Sequence, residues 1–99
     1  MNGSANDTSG NGNNGTGYNL TPAAGIDGVM GHAWYFNGSN SYISVPYAPI
    51  LNTNTYSIAV VIKVMGFNSG TCQANTILER GDALNSSPTG SYGMSFDDN

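Results

Sequence analysis

Charge is scarce in this 99-residue chain. Asp, Glu, Lys and Arg make up 8% of it, and only Lys63 and Arg80 are basic, against a usual charged share of about 25%. With a net charge of −4 there is no cluster of cations to neutralise phosphates. This excludes nucleic-acid binding and argues against attraction to anionic membranes. Histidine and cysteine occur once each, as His32 and Cys72. Cys72 cannot form a disulfide within the chain. It is read either as a free loop thiol or as a half-cystine whose partner lies outside this sequence. A catalytic cysteine is not supported, because His32 falls at the start of a strand pattern. Long apolar runs are missing as well. The longest, 58–62, falls far short of the roughly 20 residues a membrane-spanning helix needs, so no membrane insertion is expected. No signal-peptide pattern opens the chain, so the export segment of a secreted parent is expected elsewhere.

What the chain does have is Asn, Ser, Thr and Gly, followed by aromatic and β-branched residues. Residues 1–17 are almost entirely small and polar and read as a loop. Residues 18–30 are transitional. Tyr18, Leu20, Ile26, Val29 and Met30 are expected to touch a core edge, while Pro22, Gly25, Gly28 and Gly31 prevent a long element. Strands are expected at about 32–36 and 41–45, flanking Asn37-Gly38-Ser39-Asn40 as a β-hairpin. Trp34 and Phe36 share one face of the first, and Ile43 and Val45 one face of the second. Ile50 and Leu51 read as a short turn. Residues 56–64 carry the clearest strand pattern: Tyr56, Ile58, Val60, Ile62 and Val64 alternate with Ser57, Ala59, Val61 and Lys63, and the β-branched content disfavours a helix. Further strands are expected at about 76–80 and 92–96, separated by a loop at 81–90, and a loop at 66–75 carries Cys72. One domain at most fits this length, organised as an N-terminal loop (1–17) followed by a β domain (18–99).

The block at 31–46, GHAWYFNGSNSYISVP, resembles the A-x-x-F-(D/N)-G-S-x-x-Y-(I/V)-x-V-P pattern of laminin-G-like domains in bacterial surface proteins, within the concanavalin A-like lectin and glucanase class. Residues 7–15, DTSGNGNNG, resemble that family's early D-x-S-G-N-G-N-x-G loop. Residues 56–64, 75–81 and 92–96 resemble its following strands in the same order. The resemblance implies an all-β fold, an antiparallel jelly-roll β-sandwich of concanavalin A-like type. About half of that sandwich is covered, so the fold is expected to be incomplete, with the remaining half of the same domain as one partner. It further implies a secreted or cell-surface parent, and a binding or adhesion module recognising glycans or cell-surface proteins. A spacer within a large adhesin and a fragment of a polysaccharide-degrading enzyme are the alternatives.

Three kinds of chemistry are carried by particular residues. Asp7, Ser9 and Asn11, with Gly12 in the sixth position, match the first half of a calcium-binding EF-hand loop. The twelfth position is Tyr18 rather than a bidentate Glu, which rules out a true EF-hand. Structural Ca2+ at Asp7, Ser9 and Asn11 with further ligands from elsewhere is the candidate cofactor, and the resemblance points the same way. An Asx-turn-rich loop without metal is the alternative. Carbohydrate binding calls for flat aromatic faces and amide partners, which makes Tyr35, Asn37, Asn40, Tyr42 and Tyr92 the candidate ligand residues. Ordinary cross-strand packing is the competing reading for the tyrosines, and Trp34 reads as core. Glycoside hydrolysis normally uses two carboxylates about 5–10 Å apart. Glu79 is the only glutamate and the glucanase E-x-D-x-x-E motif is absent, so no enzyme is expected. Arg80-Gly81-Asp82 is too nonspecific to be read as an integrin signal. Asp97-Asp98 reads as a solvated turn. The triplets Asn14-Gly-Thr16 and Asn37-Gly-Ser39 are expected by chance in so Asn-rich a chain.

Overall fold

A computed structural model describes residues 3–66, 75–81 and 92–96. The chain divides into two compact units, Met1–Ala48 and Pro49–Asn99. The described elements are all-β apart from one short 3-10 turn, and the sheets are small antiparallel ladders, an arrangement compatible with a β-sandwich.

In the first unit, β1 (Thr16–Tyr18) pairs with β4 (Tyr42–Ser44), and β2 (Thr21–Ala24) pairs with β3 (Met30–Tyr35). The registers show that the same two runs of chain carry both ladders. Thr16 faces Ser44, Tyr18 faces Tyr42, Thr21 faces Tyr35 and Ala24 faces Met30. Residues 16–24 and 30–44 are therefore one long antiparallel ribbon, interrupted where Asn19 and Leu20 oppose the longer loop 36–41. This corrects the expected hairpin. Residues 32–36 and 41–45 do not pair with each other, and 37–40 is an outward loop rather than a closing turn.

The closing turn lies upstream, at Asp27-Gly28. Gly28 N–H donates to Gly25 O at 2.9 Å and Gly25 N–H donates to Val29 O at 3.0 Å. Gly28 adopts a φ of 77°, the left-handed conformation that a three-residue hairpin loop places at this position. Between Ala23 and Ala24 the register then shifts, leaving Gly31 and His32 unopposed on β3, with Gly31 at a φ of 86°. Such a bulge bends the strand locally. Pro22, opposite Trp34, is tolerated because a strand in a two-stranded ladder needs its N–H groups on one side only. The expected loop and transitional segments, 1–17 and 18–30, thus contribute β1 and β2. Ile26, Val29 and Met30 point to water, Ile26 at 90% exposure, because they sit at the tip of the hairpin rather than at a core edge.

In the second unit, Pro49–Leu51 forms the expected short turn, closed by Asn52 N–H to Pro49 O at 2.9 Å. β5 (Asn75–Arg80) pairs antiparallel with β6 (Tyr92–Phe96), with an irregularity between Thr76 and Leu78. These two strands are where the sequence placed them. Residues 56–64 differ: they take part in no strand pairing among the described residues. Alternation decides which side chains share a face, but a strand is defined by a ladder, and a ladder needs a neighbour. Cys72, the 82–90 segment with Asp82, and Asp97-Asp98 lie outside the described residues.

Among the described residues no side chain is fully buried. Trp34 is half-buried rather than core, and Phe36 and Val45 are exposed. Backbone conformation at the turns therefore carries much of the local order. A Cβ added at Gly28 or Gly31 would meet no atom within 4 Å, so alanine there costs conformational energy alone. Gly28→Ala and Gly31→Ala should each weaken the β2–β3 ladder by about 1–2 kcal/mol. Amide hydrogen exchange at Ala23 and Ala33 checks this, with protection falling about five- to thirtyfold.

Candidate functional site

The loop at 36–41 is built around one side chain. Asn37 Oδ1 accepts the backbone N–H groups of Ser39 (2.9 Å), Asn40 (3.0 Å) and Ser41 (3.2 Å). Its Nδ2 donates to Asn40 Oδ1 at 2.8 Å, and its own N–H donates to Ser41 Oγ at 3.2 Å. Ser41 Oγ–H in turn donates to Asn19 O at 2.6 Å, and Asn19 Nδ2 donates to Asn40 O at 3.0 Å. Asn19 holds a φ of 52°, a conformation Asn tolerates better than most residues. Two of the predicted ligand residues, Asn37 and Asn40, thus join their side-chain amides to each other within the loop, while Ser41 Oγ and the Asn40 backbone carbonyl tie the loop to Asn19.

The aromatic residues are placed differently. Tyr42 stacks on Tyr18, with ring centroids 4.6 Å apart and planes 18° from parallel. The pair sits in direct cross-strand register, and the two residues remain about half exposed, at 43% and 51%. Tyr35 on β3 is also exposed. Tyr18 was not among the predicted residues: its pairing with Tyr42 spans the whole ribbon, and no local pattern announces it. Tyr92 belongs to the second unit. It stacks on Tyr56 at 4.5 Å, with the Arg80 guanidinium 5.7 Å from its ring centre, a cation–π distance.

The proposed metal residues lie in one loop that satisfies itself. Asp7 Oδ1 accepts Ser9 N–H at 2.8 Å and Oδ2 accepts Asn13 N–H at 3.0 Å, while Asp7 N–H donates to Asn14 Oδ1 at 2.9 Å. Ser9 Oγ accepts from Asn11 N–H and Asn11 Nδ2 at 3.3 and 3.0 Å. Hydrogen bonds from Ser9, then from the Asn13 backbone, hold the Asp7 carboxyl below the ordinary 3.8. No group of three His, Cys, Asp or Glu side chains gathers among the described residues. One carboxylate is far from the 6–8 oxygen ligands calcium takes, so these residues alone do not fit a calcium site.

Two features emerge that sequence reasoning missed. Asp27 Oδ1 accepts Val29 N–H at 3.0 Å, and Asp27 Oδ2 lies 2.7 Å from His32 Nδ1; the bulge at Gly31 brings His32 to the turn. The Val29 N–H, then His32, lower the Asp27 carboxyl pKa. A shallow, open groove of about 500 Å3 lies over Trp34, walled by small residues at 3–5 and 15–17 and by Asn19 and Leu20. None of its lining residues ionises near neutral pH. The Trp34 Nε1 N–H is buried without a hydrogen-bond partner among the described residues. Glycine and alanine linings give no sequence signal.

No protein-family model, curated protein or solved structure matches the chain.

Asn37→Ala should remove the acceptor of three N–H groups and destabilise the first unit by about 1–2 kcal/mol, whereas Asn37→Asp, which keeps the acceptor, should lose less. Denaturant titration with amide exchange at Ser39 and Ser41 ranks the two. For Asp7 the sign follows from a depressed folded-state pKa: the loop is held fully above the ordinary 3.8 and loosens as pH falls through the lowered value. The Asp7 carboxyl carbon should titrate below 3.8 by NMR, with the Ser9 and Asn13 amides moving at the same midpoint.

Proposed function

We propose that this chain is a non-catalytic extracellular binding module, part of a laminin-G-like jelly-roll sandwich of concanavalin A-like type, from a secreted or cell-surface protein. Its ligand class is neutral carbohydrate, displayed alone or on a cell-surface partner. The observation that carries the reading is the Tyr18–Tyr42 stack, two parallel and half-exposed rings fixed by strand register. Sugar rings pack on such flat faces, and a prearranged pair loses little side-chain freedom on binding. Tyr35 is a further exposed tyrosine of the same unit. Asn37 and Asn40 act in this proposal as positioning residues: they hold loop 36–41 against Asn19, next to the rings.

The charge pattern supports a neutral ligand. Across residues 3–48 the ionisable side chains near neutral pH are Asp7, Asp27 and His32, and the two acids are hydrogen-bonded within their own turns. The non-catalytic reading rests on the scarcity of carboxylates, with Glu79 the only glutamate. Calcium at Asp7, Ser9 and Asn11 belongs to the proposal only with ligands supplied from beyond this loop.

Titration of the chain with neutral oligosaccharides should perturb the Tyr18 and Tyr42 ring resonances by NMR. Tyr42→Ala should weaken binding by about 1–2 kcal/mol, roughly five- to thirtyfold, while Tyr47→Ala should leave it unchanged. Binding indifferent to both Tyr18→Ala and Tyr42→Ala would remove the tyrosine platform. No binding by any neutral glycan would favour a spacer role.

A further inference from the structure

Three Asn-Gly pairs lie wholly within the described residues, at 11–12, 14–15 and 37–38. In such a pair the glycine backbone nitrogen can close a five-membered ring on the asparagine side-chain carbonyl, since glycine puts no Cβ in the way. The fold treats the three nitrogens differently. Gly15 N–H is tied to Ala5 O at 2.9 Å, and a Cβ at Gly15 would lie 2.7 Å from Ile43 Cγ2. Gly12 N–H is directed at the Asp7 carboxylate, whose charge opposes loss of that proton. Gly38 N–H makes no hydrogen bond among the described residues. A Cβ at Gly38 would meet no atom within 4 Å, and Asn37 and Gly38 are both exposed.

The carbonyls differ as well. Asn14 Oδ1 accepts the Asp7 N–H, whereas Asn37 Oδ1 gathers the N–H groups of Ser39, Asn40 and Ser41. The bond from Asn37 Nδ2 to Asn40 Oδ1 keeps the oxygen, not the nitrogen, facing those three donors. Donors fixed around a carbonyl oxygen stabilise the negative charge that forms there when a nucleophile adds to its carbon.

We infer that Asn37-Gly38 is a self-modification site, at which loop 36–41 promotes deamidation of its own central asparagine. The inference does not depend on the ligand reading above. Gly38 N gives its proton to solvent and bonds to Asn37 Cγ, and the charge collects on Oδ1 beneath the three N–H groups. The Cγ–Nδ2 bond then breaks, and Nδ2 leaves as ammonia with a proton from water. Water opens the resulting succinimide at either carbonyl, giving aspartate or isoaspartate at position 37. Overall one water is consumed and one ammonia released, with no oxidation or reduction. The aspartate product keeps the acceptor at the loop centre. The isoaspartate product inserts a methylene into the backbone and takes the acceptor away from the three donors.

The test incubates the full chain at neutral pH, folded and in guanidinium chloride, and follows each asparagine by chymotryptic peptide mapping. A gain of about 1 Da marks deamidation. In the folded chain Asn37 should react at least about tenfold faster than Asn14, and faster than Asn37 does in denaturant. Asn37 reacting no faster folded than denatured overturns the inference, because the three donors then protect the amide. The product should be a mixture of aspartate and isoaspartate; aspartate alone means direct attack by water and overturns the role of Gly38 N. Gly38→Ala should slow the reaction at least about tenfold, and an unchanged rate also overturns that role. Should Gly38→Ala disturb the loop, the product ratio in the unaltered chain decides the same point.

Discussion

The first unit depends on the side-chain oxygen of Asn37. Three consecutive backbone N–H groups would otherwise be left in a loop that cannot reach a ladder, and one carbonyl oxygen gathers them. The loop so formed is held to Asn19 by Ser41 and Asn40. The six residues at 36–41 can then stand opposite Asn19 and Leu20 without ending the ribbon, and pairing resumes at Tyr42. Tyr42 meets Tyr18 because this loop fixes the register on the far side.

The same device recurs in several other loops and turns. Asp7 accepts from Ser9, Asp27 from Val29 and Asn37 from Ser39, each two residues on. Ser4 accepts from Asn6, Ser9 from Asn11 and Thr53 from Thr55 in the same way. Short polar side chains that satisfy their own backbone stabilise turns at little cost in entropy. The scarcity of charge and the abundance of Asn, Ser and Thr thus have a structural meaning. Loop backbone that cannot be satisfied by ladders is satisfied by neighbours in sequence. The same economy engages the amides of Asn37 and Asn40 with each other inside the loop, while Tyr18 and Tyr42 stay about half exposed.

Much of this was legible from residue order. The all-β character, the strands at 76–80 and 92–96 and the turn at Ile50-Leu51 follow from local patterns of β-branched residues, glycine and proline. So does the exposure of Tyr35 and Tyr42, which fall on the parity opposite Trp34. The Asx turn at Asp7 was readable from spacing, because a side chain reaching two residues ahead involves no distant partner; whether the loop holds a metal is a separate question.

Strand partners were not readable. Asn37-Gly38 and Asp27-Gly28 both look like turns, and only the assembled ribbon shows that the second closes a hairpin while the first coils outward. Tyr18 became part of a ring stack through a residue 24 positions away, and His32 reached Asp27 through a bulge that periodicity cannot register. Residues 56–64 make the same point in reverse: their alternation is the clearest in the chain, yet it joins no described ladder. Sequence determined local conformation and the facing of side chains, because those arise from sterics and hydrogen bonds within a few residues. Tertiary structure decided which strands meet and therefore which rings form a surface, because pairing depends on backbone groups brought together from distant parts of the chain.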